Sequence, residues 1–142
     1  MKIAIVDTYY PDFIQSVPLQ GGTYEQELQR ILDRRFGTFD AYSRGLRACG
    51  HEVVDIIANH APLQNLWAKQ DGWGGSWDSN DDLQQIAIEQ VHQFHPDVIF
   101  FQDLSFFTAL QLNAFGRHAI LSGQLSCRFD DDEKLKYFST LF

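Results

Sequence analysis

Two short runs in this chain are apolar without interruption: Ile3-Ala4-Ile5-Val6, inside Lys2–Asp7, and Val98–Phe101. A strand with one wet face alternates apolar and polar residues, so unbroken runs of this length belong to strands buried on both faces, as in a parallel sheet packed between helices. The intervening sequence carries the helical period. Thr23 is placed to cap a helix whose apolar residues are Tyr24, Leu28, Ile31, Leu32 and Phe36, with a break at Gly37-Thr38. A second helix over 40–49 stops at Gly50, and a strand over 53–58 follows. A short helix is expected over 62–69, then the loop QDGWGGSWDSND. Ser79 or Asn80 next caps a helix with Asp81 and Asp82 in its first turn and the stripe Leu83, Ile86, Ala87, Val91, Phe94. Pro96 ends it. After Val98–Phe101, Ser105 is expected to start a helix that runs to about Gly116, followed by strands over 118–122 and 137–142.

Strands separated by helices require right-handed crossovers, hence a three-layer α/β domain with a parallel five-stranded sheet, for which the order 2-1-3-4-5 is expected. Such sheets bind ligands beyond the carboxyl ends of the strands, where the winding reverses. That crevice should be bordered by Asp7, Thr8 and Tyr9 on one side and by Gln102, Asp103 and Ser105 on the other, with Gly123, Gln124, Asn59 and His60 at the remaining strand ends. Nucleotide-binding domains of this kind place glycines after the first strand so that phosphate can approach the backbone. Here Thr8, Tyr9, Tyr10 and Pro11 stand in that place.

The 142 residues suffice for one domain with its own core, and 44% hydrophobic residues with 12 phenylalanines exclude disorder. A net charge of −8 argues against nucleic acid and anionic membrane surfaces, which reward clustered Lys and Arg. No apolar run approaches the roughly 18 residues of a membrane span. With two cysteines only, Cys49 at a helix end and Cys127 in a loop, and no charged-then-apolar leader, a cytoplasmic location is expected.

The run YSRGLRACGHEVVDIIAN, residues 42–59, resembles the helix-Gly-His-Glu-Val-strand element near the start of GT-B glycosyltransferases. Together with MKIAIVDTYYPDF and RRFGTFDAYSRGLRACGHEVVDIIANHAPLQNLWAK, it makes the chain similar to the N-terminal region of bacterial family-1-like enzymes related to the spore-maturation CgeB group. The similarity covers the chain to about Lys69 and weakens beyond it. In such enzymes two Rossmann-like halves face each other, the N-terminal half holding the acceptor and the C-terminal half most of the nucleotide sugar. The resemblance implies that this chain is the acceptor-side half, that the donor-binding half is its partner, and that no cofactor is bound by this chain itself. The apolar ending YFSTLF and the lack of room for a second half fit a domain taken from a longer protein.

An acceptor-side domain has no need of a glycine nest. Tyrosine rings stack on the apolar face of a pyranose, and a carboxylate at the crevice accepts a bond or a proton from an acceptor hydroxyl. Asp7 or Asp103 is therefore the candidate base, with Thr8, Tyr9, Tyr10, Asn59, Gln102, Ser105 and Gln124 as candidate substrate contacts. Other motifs carry less. FDDDEK, at 129–134, contains an Asp-x-Asp but reads as the charged start of a short helix; His92 and His95 share a helix without a third ligand nearby, so no metal is expected. Trp67, Trp73 and Trp77 either stack on carbohydrate or partner, or pack a long loop down. A phosphoacceptor receiver would need paired acids after the first strand and a lysine after the last, and a cobalamin module an Asp-x-His-x-x-Gly run; the chain has neither. The competing reading is a non-catalytic interaction or dimerisation module that docks through the tryptophan loop or an edge strand.

Overall fold

The computed structural model describes residues 1–125 and 128–142, so Cys127 lies outside the described residues. In chain order the elements are β1 (Lys2–Asp7), α1 (Pro11–Ser16), α2 (Tyr24–Leu32), α3 (Ala41–Ala48), β2 (Glu52–Ile57), α4 (Ala61–Gln70), α5 (Asn80–Phe94), β3 (Val98–Phe101), α6 (Ala109–Phe115), β4 (Ile120–Gly123), α7 (Asp132–Leu135) and β5 (Thr140–Leu141). The sheet has the order β2-β1-β3-β4-β5 and every pairing is parallel. Register brings Asp7 opposite Ile57, Val6 opposite Phe101, and Phe101 opposite Gly123, so the strand ends form one rim.

Right-handed crossovers divide the helices between the faces. The step from β1 to β2 runs one way along the sheet and the later steps run the other way, which puts α3 on one face and α5, α6 and α7 on the opposite face. Ala4, Val6, Ile56, Ile99, Phe101 and Leu121 form the floor of the larger core, covered by Ala87 and Val91 of α5 and Leu112 and Phe115 of α6. On the second face Leu46 of α3 covers Ile3, Ile5 and Val53. Toward β4 and β5 that face is open, with Ile120 55% and Phe142 74% exposed. A third cluster, Tyr9, Val17, Tyr24, Ile31, Leu32, Ile57 and Leu63, joins α1, α2 and α4 around the end of β2.

Local chemistry sets the element ends. Thr23 with Gln26, Ser79 with Asp82 and Thr108 with Gln111 each form a reciprocal capping box. The helix expected from Ser105 accordingly begins at Ala109, because the Ser105 N–H and hydroxyl are both given to Asp103 instead of opening a helix. The last strand is Thr140–Leu141 and not 137–142, since Tyr137 and Phe138 still bond back to Lys134 and Leu135. α1 was not foreseen: it is one short turn-and-a-half with no buried residue, and its only sequence mark is Pro11 at the first position. Gly123 is required by close packing, since a Cβ there would stand 2.7 Å from Leu104 Cδ2 and 3.0 Å from Phe138 Cδ1. No helix among the described residues is long and apolar enough to cross a membrane.

Candidate functional site

Because β2 and β3 lie on opposite sides of β1, their connections leave in opposite directions and part at the carboxyl end of β1. A cavity of about 640 Å³ opens there. Asp7, Thr8, Gln102, Asp103 and Ser105 supply its base from the ends of β1 and β3, while Tyr10, Phe36 and Phe129 supply aromatic walls. Asn59 and Gln124 complete the rim.

The two carboxylates of the base are not equivalent. Asp103 Oδ2 accepts the Thr8 hydroxyl at 2.6 Å, and its Oδ1 accepts the Ser105 N–H at 2.8 Å and the Ser105 hydroxyl at 2.6 Å. Both oxygens are therefore engaged in tying the β1 loop to the β3 loop. Asp7 Oδ1 accepts the Thr8 N–H at 2.8 Å, and its other oxygen enters no hydrogen bond or ion pair among the described residues. Burial pushes the Asp7 carboxyl up to about 6; the Thr8 amide opposes this, and the nearby charges of Asp103 and Asp55 add to it. Of the two candidates for a base, Asp7 has the open oxygen. Asp103 is the group that positions Thr8.

The two tyrosines also part company. Tyr9 borders the cavity, yet it is only 5% exposed and its ring packs edge-on against Phe13 and Phe36, at 5.4 and 5.6 Å between centroids. Most of the Tyr9 ring is thus committed to the core, where burial raises its phenol above the usual range. Tyr10 is 74% exposed and stands edge-on to Phe36. Asn59 is committed as well. Its side chain accepts the Tyr9 N–H at 2.8 Å and donates to the Tyr9 carbonyl at 2.7 Å, so it clamps the β1 loop to the end of β2. The Gln102 side-chain oxygen accepts the Thr38 hydroxyl, and the Gln124 side-chain oxygen accepts the Tyr42 hydroxyl at 3.3 Å.

Phe36, Thr38, Arg128 and Phe129 also line the cavity, and the sequence marked none of them as a site residue. The first two come from the loop joining α2 to α3, where Arg35, Gly37 and Phe39 all have positive φ. For the two non-glycine residues that conformation costs on the order of 1 kcal/mol each. Its result is that Phe36 and Thr38 reach the ends of β1 and β3. The aromatic-Gly-Thr-aromatic run FGTF was the available signal.

Provision for a diphosphate is poor. The loop after β1 has no glycine, α1 is a six-residue helix opening on Pro11, and its cap residue Tyr10 makes no side-chain cap bond. Among the described residues that line the cavity the cation is Arg128, an exposed side chain whose Nε lies 2.7 Å from the equally exposed Asp130. No group of three or more His, Cys, Asp or Glu among the described residues is placed to hold a metal. Asp131 instead caps α7 through the Lys134 N–H, as the charge pattern of FDDDEK implied. His92 and His95 sit with His118 around a separate cavity of about 500 Å³ at the amino end of β3. The tryptophans form a chain of edge-on contacts, Trp67 to Trp73 at 6.2 Å and Trp73 to Trp77 at 5.9 Å, and Asn65 pins the loop by bonding both backbone groups of Trp77. The packing role is the one these contacts serve. No family model, no curated protein and no solved structure matches the chain.

Proposed function

We propose that this chain is the acceptor-side domain of a GT-B-type glycosyltransferase, with Asp7 as the general base and a separate donor-binding half completing the enzyme. The observation that carries the reading is Asp7 itself: an open carboxylate oxygen, raised to about 6, at the winding reversal of a sheet whose first loop lacks the means to hold a diphosphate. At pH 7 most of this carboxylate is ionised and ready for a proton. The acceptor hydroxyl donates to it, the hydroxyl oxygen bonds to the anomeric carbon of the donor sugar as the bond from that carbon to the phosphate oxygen breaks, and the proton passes to Asp7. Tyr10 and Phe36 supply ring faces for the pyranose, and Gln102 and Ser105 polar contacts for its hydroxyls.

Transfer needs donor and acceptor held about 3–3.5 Å apart, so the chain alone is expected to transfer no sugar. Calorimetry with nucleotide sugars, alongside a glycan array, tests the division of labour. Weak glycan binding without nucleotide-sugar binding is the expected outcome. Tight binding of a nucleotide sugar by this chain, abolished by substitutions in the cavity, would overturn the reading.

A further inference from the structure

We infer that the outer edge of β2 is a docking site for an extended peptide segment, taken up as an added antiparallel strand in the groove between β2 and α2. The ladder on the inner side of β2 defines that edge. β2 runs parallel to β1, with the Glu52 N–H bonded to the Met1 carbonyl and the Ala58 N–H to the Asp7 carbonyl. Backbone groups alternate along a strand, so residues 52, 54, 56 and 58 turn theirs toward β1, and Val53, Asp55 and Ile57 turn theirs outward. Two of the outward carbonyls are taken: Val53 accepts from Arg47 Nη2 at 2.9 Å, and Ile57 from the Gln64 amide at 2.9 Å. The Val53 N–H and both backbone groups of Asp55 enter no hydrogen bond among the described residues. Asp55 is nevertheless only 8% exposed, and a residue buried to that degree almost always has its backbone paired. A free N–H and C=O side by side on such a residue mark a place where another chain segment completes the ladder.

The space before these groups suits a single strand. A groove of about 370 Å³ runs along Val53, Val54, Asp55 and Ile56, four consecutive residues whose side chains point to both faces, so it meets the strand edge-on. Leu28 and Leu32 of α2 form the far wall, and Trp67 and Phe94 also line it. Gln90 lines it too, and its buried Oε1 has no partner. In an antiparallel pair one residue exchanges both of its bonds with the residue opposite, which is what the free N–H and C=O of Asp55 offer. The neighbours of that opposite residue point to the other face, the one on which Val54, Ile56 and Phe94 pack together. The segment is therefore apolar-polar-apolar across the groove, its polar residue lying beside the Asp55 and Arg47 side chains. α2 bars a second β2 edge from the same place, which leaves a separate extended segment as the occupant. The groove shares no residue with the cavity at the carboxyl ends of β1 and β3, so the inference stands apart from the acceptor-side reading.

The test is amide hydrogen exchange and amide-shift mapping of the 142-residue chain at pH 7, with the peptide acetyl-Lys-Val-Thr-Val-Lys-amide as probe. In the free chain the Asp55 N–H is expected to exchange at least about tenfold faster than those of Val54 and Ile56, which are bonded to β1. The peptide should slow that exchange and shift the Val53 and Asp55 amides. Methylation of its threonine nitrogen removes the donor to the Asp55 carbonyl and keeps every side chain, and should weaken binding about tenfold. Leu28→Arg, in the groove wall, should abolish binding; the methylated peptide makes the same point on the unaltered protein. Protection of the free Asp55 N–H equal to that of Val54 would overturn the inference, as would equal affinity of the two peptides. No shift at Val53 and Asp55 with about 5 mM peptide, or shifts confined to the cavity around Asp7, would overturn it as well. Self-association that protects the Asp55 N–H as concentration rises would give the edge to a second copy and equally overturn it.

Discussion

At pH 7 Asp7 carries a charge that its surroundings disfavour, and the folded state bears the cost. Its carboxyl is raised from 3.8 to about 6, so between those values the folded chain binds more protons than the unfolded chain, and stability falls as pH rises through that window. Asn at this position keeps the acceptor for the Thr8 N–H and removes the charge. Asp7→Asn is therefore expected to stabilise the fold by about 1–3 kcal/mol at pH 7 and by almost nothing below pH 4, as read by denaturant melts. His60 works in the opposite direction: it is buried at the start of α4, accepts the Leu63 N–H through Nδ1, and burial lowers its proton affinity, so stability is lost as pH drops below about 6.5. The difference between wild type and variant, and not the raw profile, isolates Asp7. The positions of Asp7 and Asp103 could be read from strand patterning, since any polar residue closing an apolar strand sits at the rim. Their separate roles could not, because these depend on where the Thr8 and Ser105 hydroxyls turn. Tyr9 and Tyr10 look alike in sequence for the same reason: one rotation about the loop sends the first ring into the core and leaves the second in water.

At the scale of elements, side-chain caps decide where helices begin. Thr108→Ala should cost about 1 kcal/mol by removing the hydroxyl that accepts the Gln111 N–H and donates to its side chain, while Ser105→Ala should cost less than half of that in stability and act mainly on the orientation of Asp103. Thermal melts of the two variants separate these effects, and equal costs would return the helix start to Ser105. Thr23 and Ser79 were readable as caps because each precedes an amphipathic run directly. Ser105 misled because an apolar run follows it too, yet Leu104 and Phe107 are buried as loop residues against β3 and β4. The loop from α2 to α3 was readable as a break at Gly37 but not as a cavity wall. Its left-handed residues at 35 and 39 carry no glycine to announce them.

For the whole molecule, parallel pairing follows from strand-helix alternation and crossover handedness, which need no side-chain detail, whereas those rules leave several strand orders open and 2-1-3-4-5 is one expectation among them that the sheet bears out. The unequal cover of the two faces is not legible in the sequence, because the length of each crossover does not say how far its helix reaches across the sheet. Phe101→Ala, in the covered core, should cost about 3–5 kcal/mol, and Ile120→Ala, on the open part of the opposite face, less than about 1. Comparable losses in chemical denaturation would mean that the second face is closed in solution. The acceptor-side reading rests on one carboxylate at the meeting point of that topology, and it is tested most directly by the carbon-13 carboxyl resonance of Asp7, titrated from pH 3 to 9 with and without a saturating saccharide. A midpoint near 6 that moves when the saccharide is added is the expected result. A midpoint near 4 that ignores every saccharide offered would contradict it.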